Sequence, residues 1–256
     1  MLVDFHKYHG NGNDFILIDN RSLGLKLSSI EIKEICHRHF GIGSDGIILI
    51  ENDQETDFNM VFYNPDGSQS FCGNGSRCSL HFAFNEGIIE GHAIFRAIDG
   101  IHRGEVKDFH TRIQISDIEE VKRFEDCFFV NTGSPHAIVF VENVDLIEIA
   151  TEASRIRHDS RFAPDGTNVN FVEFTDNGIR SRVFERGVEN ETLSSGSGTT
   201  AQAICSHALK GLDSPISVST RGGNLKVEFS FDGNGHYNNI WLVGEVNPVF
   251  KGTLSL

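Results

Sequence analysis

Two segments of this chain place a small nucleophile-type side chain directly ahead of a Gly-x-Gly turn. They are Phe71-Cys72-Gly73-Asn74-Gly75-Ser76-Arg77-Cys78 and Ser194-Ser195-Gly196-Ser197-Gly198-Thr199-Thr200-Ala201. Each reads as a strand, a tight glycine turn and the start of a helix. The first backbone N–H groups of a helix have no intrahelical acceptor, and the peptide dipoles favour negative charge beside them. Two such starts therefore offer two grips for a carboxylate. The same dipoles lower the pKa of a thiol at that position, which makes Cys72 a usable base near neutral pH. If the two segments face each other, Cys72 and Ser195 flank one small anionic ligand. That arrangement suits moving a proton at the carbon next to a carboxylate. A free cysteine is more commonly a small buried hydrophobe, and this is the expectation for Cys36, Cys127 and Cys205.

Further polar candidates stand at predicted strand ends. Glu185-Arg186-Gly187 closes a strand just before the second glycine turn, where the pair suits an ammonium and a carboxylate better than a surface ion pair. Asn13, Asn64 and Asn168 each lie at a strand end. Singly they read as turn residues; with Glu185 and Arg186 they compose a polar lining.

The elements that must position these groups alternate between strand and helix. Strands are predicted at 15–18, 47–50 and 58–63, with a helix opening at Ser28-Ser29-Ile30-Glu31 and running to about His39. A helix over about 75–85 follows the first glycine motif, ends at Gly87, and is succeeded by strands near 92–98, 102–107 and 110–116. The second half repeats this order: strands near 127–131 and 136–141, a helix around 145–154, and strands at 169–174 and 179–184. The second motif then opens a helix over about 198–209, followed by strands near 215–219, 224–230 and 238–246. The motifs lie nearly half the chain apart, which supports duplication into two α/β halves with a boundary near residue 117.

Composition narrows the function classes. At 256 residues, 39% hydrophobic and 23% charged, the chain is that of an ordinary folded protein of one large or two ordinary domains. A formal charge of −14 argues against non-specific nucleic-acid binding. No apolar run approaches a membrane span, and no secretory signal is present, so the five cysteines read as reduced thiols in a cytoplasmic protein. Gly41-Ile42-Gly43-Ser44-Asp45-Gly46 fits G-x-G-x-x-G, but it follows a helix and precedes a strand, the reverse of a dinucleotide site. Gly196-Ser197-Gly198-Thr199-Thr200 lacks the lysine of a phosphate-binding loop. Cys36-His37-Arg38-His39 has no second ligand pair at matching spacing, so no metal is assigned.

An ordered set of motifs spanning nearly the whole chain resembles the diaminopimelate epimerase family. It comprises Gly12-Asn13-Asp14-Phe15, Gly41–Gly46, Asn64-Pro65-Asp66-Gly67, Cys72–Cys78, Thr132-Gly133-Ser134-Pro135-His136, Asn168-Val169-Asn170-Phe171, Glu185-Arg186-Gly187-Val188, Glu191-Thr192-Leu193 and Gly222-Gly223-Asn224-Leu225. The resemblance implies an α/β (α+β) fold of two pseudo-symmetric lobes, each a curled sheet around a central helix, with the active site in the cleft between them. The lobes would be residues 1–117, completed by about 247–256, and 118–246. It further implies a homodimer, a cofactor-independent reaction and diaminopimelate as substrate. One cysteine removes the α-proton and a second delivers a proton to the opposite face. By motif, Cys72 and Ser195 hold the catalytic positions. Gly73, Asn74, Gly196 and Ser197 supply N–H groups to the α-carboxylate. Asn13, Asn64, Asn168, Glu185 and Arg186 recognise the amino-acid groups, and Ser134 and His136 are candidate supporting residues.

Three departures from the family pattern stand out. Gly46 occupies a position where some members carry Gln, and Ser134 stands where Asn often precedes Pro-His. The third is Ser195, at the position of the second catalytic cysteine. A serine hydroxyl is a far weaker acid than a thiol and is poorly matched to proton transfer near neutral pH. Two accounts of Ser195 stay open: a Cys-to-Ser change introduced into an epimerase, or a natural variant with impaired or altered two-base chemistry. Two rival functions accompany them, a one-base racemase or hydroxy-amino-acid dehydratase of the same fold, and a catalytically silent amino-acid-binding homologue.

Overall fold

Alternating apolar residues open the chain as strand β1 (Leu2–Gly10), with Val3 and Phe5 turned inward and Leu2 and Asp4 outward. A computed structural model describes residues 1–256 and divides them into two units, Met1–Ile113 with Gly244–Leu256, and Gln114–Val243.

In the first unit β1 turns through Asn11 and Gly12, at φ of 54° and 80°, into β2 (Asn13–Asp19). Helix α1 (Ser29–Cys36) starts on a capping box, with Ser28 and Glu31 each satisfying the other's backbone N–H. It leads to β3 (Gly46–Glu51) and β4 (Phe58–Tyr63). Helix α2 (Gly73–Asn85) then connects to β5 (His92–Ala97), β6 (Gly100–Lys107) and β7 (His110–Ile115). The second unit contains β8 (Lys122–Arg123), β9 (Phe128–Asn131), β10 (Pro135–Phe140) and α3 (Ile149–Arg157). Strands β11 (Asn168–Thr175), β12 (Gly178–Glu185) and β13 (Asn190–Thr192) precede α4 (Gly196–Lys210). It continues with β14 (Ile216–Thr220), β15 (Gly223–Phe231) and β16 (Tyr237–Glu245). The last strand, β17 (Asn247–Ser255), lies antiparallel to β1.

The two units share one pairing sequence. In the first, β1–β2 is antiparallel, β2–β3 parallel across α1, β3–β4 antiparallel, β4–β5 parallel across α2, and β5–β6 antiparallel. In the second, β9–β10 is antiparallel, β10–β11 parallel across α3, β11–β12 antiparallel, β12–β14 parallel across α4, and β14–β15 antiparallel. A repeat of five pairings in the same order is the structural form of the duplicated glycine motif.

Helices α2 and α4 are buried nearly all round, Asn74–Ala83 continuously in the first and residues 198–206 in the second. Such burial normally demands apolar side chains, yet α2 carries Ser76 and Ser79 and α4 carries both Ser and Thr. The hydroxyls of Ser76, Ser79, Thr200 and Ser206 return to the carbonyl four residues earlier, at 3.0, 2.9, 3.2 and 2.7 Å. These four hydroxyls are thus satisfied within their own helices, whereas Thr199 Oγ1 has no partner. Helices α1 and α3 lie half-exposed instead, α1 burying Ile32, Ile35 and Cys36 against the inner residues of β1, β2 and β3.

Two expected helices have different bounds. Helix α1 stops at Cys36 rather than near His39, because His37 turns extended (ψ 121°) and Gly41 passes back over the helix end. A Cβ on Gly41 would lie 2.1 Å from the Glu34 carbonyl oxygen. The expected helix at 145–154 is a 3-10 turn at Val144–Leu146 followed by α3 at Ile149–Arg157. The short strands β8 and β13 lack the length to register as period-two patterns.

The structure also accounts for Gly46. A Cβ there would stand 2.3 Å from Cε2 of Phe62 and 2.6 Å from the Tyr63 carbonyl oxygen. Phe62 fills the space that a side chain at 46 would need. Gly46→Gln is therefore expected to lower the unfolding free energy by about 2 kcal/mol or more in urea denaturation. Phe62→Leu should restore only part of it, since the carbonyl contact remains; full tolerance of Gln at 46 would contradict this packing.

Candidate active site

The two glycine turns fold to nearly the same backbone. Cys72 caps α2 at φ −135°, ψ 111°, and its Sγ accepts from the Gly75 N–H at 3.4 Å. Ser195 caps α4 at φ −127°, ψ 122°, and its Oγ accepts from the Gly198 N–H at 3.3 Å. In each case the side chain takes the third amide of the helix, and the amides of Gly73 and Asn74 or Gly196 and Ser197 precede the first intrahelical bond. The second glycine of each motif has a steric reason. A Cβ on Gly75 would meet Ile48 Cδ1 at 3.2 Å, and one on Gly198 would meet Asn170 Oδ1 at 2.7 Å and Ser195 Cβ at 3.0 Å.

In the first unit the structure gathers Asn13, Cys72 and Asn74. The Cys72 thiol points at Asn13 Oδ1 (3.7 Å), which also accepts from Asn74 Nδ2 (3.3 Å). Asn13 is oriented from its other end by a 2.8 Å bond from Nδ2 to Asp45 Oδ2. Arg38 in turn bridges Asp45 and Asp14, at 2.6 and 2.8 Å, and Lys7 pairs with Asp14 at 2.6 Å. These cations hold the Asp14 carboxyl down to about 2 against the opposing effect of burial. Asn64 bonds elsewhere: its amide donates to Ser68 and to Ser70 Oγ (3.2 Å) within the segment approaching Cys72.

The second unit builds a larger polar network behind Ser195. His136 is fully buried and bonds Ser134 Oγ and Ser197 Oγ through Nε2, at 3.0 and 2.9 Å. Its Nδ1 faces Asn170 Nδ2 at 3.1 Å. Asn170 Oδ1 accepts from Gln202 Nε2 (2.9 Å), which fixes the amide so that Nδ2 is the donor toward the ring. Nδ1 is therefore an acceptor and Nε2 carries the imidazole proton. Burial, helped by the nearby Arg186 charge, lowers the His136 pKa to about 3, so the ring is neutral. Asn168 spends both amide hydrogens, on Ser134 Oγ (3.0 Å) and the Pro135 carbonyl (2.9 Å), while its Oδ1 accepts from the Arg186 backbone (2.9 Å). Glu185 accepts from the Thr192 hydroxyl. The half-buried Arg186 guanidinium takes no part in the ion pairs that hold Arg157, Arg180 and Arg182 nearby.

Sequence reasoning did not single out Asn170, Gln202 or Thr132, whose hydroxyl holds the Ser197 carbonyl at 2.8 Å. Asn170 had a signal, since it shares a strand face with Asn168 two residues earlier. Gln202 had none beyond being a polar residue in an otherwise small and apolar helix. Cys36, Cys127 and Cys205 are buried, and Cys36 packs against Ser44 Oγ at 3.3 Å.

Residues 5–121 and 128–247 match the family described as diaminopimelate epimerase. The chain belongs to the diaminopimelate epimerase family. The diaminopimelate epimerase of Flavobacterium psychrophilum is 43% identical over 98% of this chain and 100% of its own length. That of Aquifex aeolicus is 38% identical over 99% of this chain and 98% of its own. Among solved structures, a phenazine biosynthesis protein of the PhzF family from Bacillus anthracis superposes with a TM-score of 0.79 at 13% identity, all of each chain covered. A probable proline racemase from Agrobacterium radiobacter superposes at 0.70 and 13% identity, covering 99% of this chain and 93% of that one. Likenesses this distant in sequence bear on the fold alone, the α/β fold that the diaminopimelate epimerase family has in common with them.

The neutral state of His136 has a measurable sign. Its folded pKa lies below the unfolded value of 6.5, so the unfolded chain binds the extra proton and the stability lost on acidification sets in as pH falls through 6.5. His136→Gln removes that loss. The stability gap between the parent and His136→Gln should narrow by about 2 kcal/mol between pH 8 and pH 5 in urea titrations. A gap that stays constant would mean that the ring is not held neutral.

Proposed function

We propose that this chain is a cofactor-independent isomerase that interconverts LL- and meso-2,6-diaminopimelate by removing and returning the α-proton. Family membership over nearly the whole chain supports the substrate. What carries the chemistry is the repetition of one turn: the starts of two buried helices with matching cap angles, one capped by a thiol and one by a hydroxyl. Epimerisation needs an acid–base group for each face of the α-carbon, and the repeat supplies two.

In this reading Cys72, as thiolate, takes the α-proton, and Ser195 holds the position from which the opposite face is reprotonated. The amides of Gly73, Asn74, Gly196 and Ser197 receive the α-carboxylate and stabilise the charge that spreads onto it as the carbon becomes carbanion-like. The Arg186 guanidinium is suited to a carboxylate and Glu185 to an ammonium. Asn13 and Asn64 complete the polar contacts, and Asn168 offers its Oδ1 while anchoring the Arg186 backbone. His136 and Ser134 support the α4 side by fixing Ser197. The reading carries with it a homodimer and a cytoplasmic location. No helix is long and apolar enough to cross a membrane.

A hydroxyl in place of a thiol weakens the second acid–base group by several orders of magnitude in acidity. Incubated in deuterium oxide, the chain should exchange the α-hydrogen of the isomer that presents it to Cys72, with little epimer formed. Ser195→Cys should raise epimerisation by about 10²-fold or more. Neither exchange nor epimerisation with either isomer by Ser195→Cys would refute the substrate assignment.

A further inference from the structure

Arg77 is fully buried in α2, five residues after Cys72, and no carboxylate accompanies it. Side chains on a helix lean toward its N-terminus, and the guanidinium does so. Nη2 donates to Asn74 Oδ1 at 2.7 Å and Asn11 Oδ1 at 2.8 Å, and Nη1 to the Glu245 carbonyl at 3.1 Å. Every acceptor is neutral, and Nε has no partner. Burying a charge without a counter-charge is among the costliest arrangements in a protein interior. The guanidinium packs over Gly10 of β1, where an added Cβ would stand 3.3 Å from Nη2.

The Asn74 amide that accepts from Arg77 donates to Asn13 Oδ1, the atom toward which the Cys72 thiol points. Deepening the reading of Cys72 as the base, we infer that the Arg77 guanidinium is the resident counter-charge that favours ionisation of Cys72, with the Asn74 and Asn13 amides holding the thiol in place before its proton leaves. Arg77 is thus a positioning residue for proton transfer. Burial lowers the Arg77 pKa only to about 10, so the side chain stays charged at neutral pH.

The other charged groups around this helix start are already matched. Lys7 on β1 pairs with Asp14 on β2, Arg38 covers Asp14 and Asp45, and His102 on β6 pairs with Asp99. From β3, Glu51 accepts from Asn20, and Tyr63 is the titratable group of β4. On α2 itself, burial pushes the Cys78 thiol up and the His81 pKa down, leaving both neutral. His9 on β1 accepts from the Gly12 N–H. The repeat provides an internal comparison. Five residues after Ser195 stands Thr200, whose hydroxyl turns to the Gly196 carbonyl, and the network there is built on a neutral His136. Only one of the two helix starts has a buried cation behind it.

The test is the pH dependence of Cys72 alkylation by iodoacetamide, read at its peptide by mass spectrometry in the full chain. Arg77→Gln keeps hydrogen-bonding capacity without charge and should raise the midpoint by about one pH unit or more, while Arg77→Lys should stay close to the parent. An unchanged midpoint in folded Arg77→Gln overturns the inference. If Arg77→Gln does not fold, thiolate absorbance of the parent against Cys72→Ser decides it. A buried counter-charge leaves the midpoint unmoved by about 1 M salt, whereas a rise of half a unit or more assigns the effect to screened surface charges and overturns it. Neither readout needs substrate. A shifted midpoint without isotope exchange by Ser195→Cys would separate failure of the proposed reaction from failure of this inference.

Discussion

Both glycine turns rest on one interaction, a side-chain cap that reaches the third amide at the start of a buried helix. A helix start normally spends its first N–H groups on water or on a flanking side chain. Here the capping atom, Cys72 Sγ or Ser195 Oγ, accepts from the third amide. That reach is possible because Gly75 and Gly198 allow the cap residue and the strand behind it to close on the helix without a side chain between them. Each turn is braced within its own unit, that of Cys72 by Asn13 and Asp45 and that of Ser195 by Thr132, His136 and Asn170.

Identical backbone does not mean identical electrostatics. Behind Cys72 lies a guanidinium with neutral partners; behind Ser195 lies a chain of neutral donors and acceptors that ends in Gln202. A reaction that takes a proton on one side and gives one on the other needs one group ionised and its counterpart protonated at the outset. The duplicated fold supplies the shared backbone, and the two differing interiors give the two caps different electrostatic surroundings. Buried polar residues that look anomalous inside α2 and α4 divide accordingly. Ser76, Ser79, Thr200 and Ser206 are satisfied by their own helix, whereas Arg77 and Gln202 project toward the helix starts.

How much of this was legible in the sequence follows from where each signal is stored. Strands such as β3 and β4 were plain, because Ile47–Ile50 and Phe58–Tyr63 write their burial directly into residue type. The duplication was legible because glycine, the cap residue and a helix run recur in order. The end of α1 was not, since it is decided by the close return of Gly41 over Glu34, a contact that no local pattern records. Likewise the tautomer of His136 is set by Asn170, and Asn170 by Gln202, from three separate elements. Arg77 appeared as part of a motif, but that it lies fully buried with no carboxylate is a property of packing.

Ser195 shows where geometry stops and chemistry begins. The oxygen caps α4 at 3.3 Å much as the sulfur caps α2 at 3.4 Å, and the flanking dihedral angles agree within the scatter of ordinary caps. Replacing sulfur by oxygen therefore leaves the turn and the neutral network behind it intact. What changes is acidity. A hydroxyl backed only by neutral partners has no buried cation to stabilise an alkoxide, so it can donate hydrogen bonds but yields its proton with difficulty. Residue 195 thus shares the cap geometry of Cys72 without the acidity of a thiol.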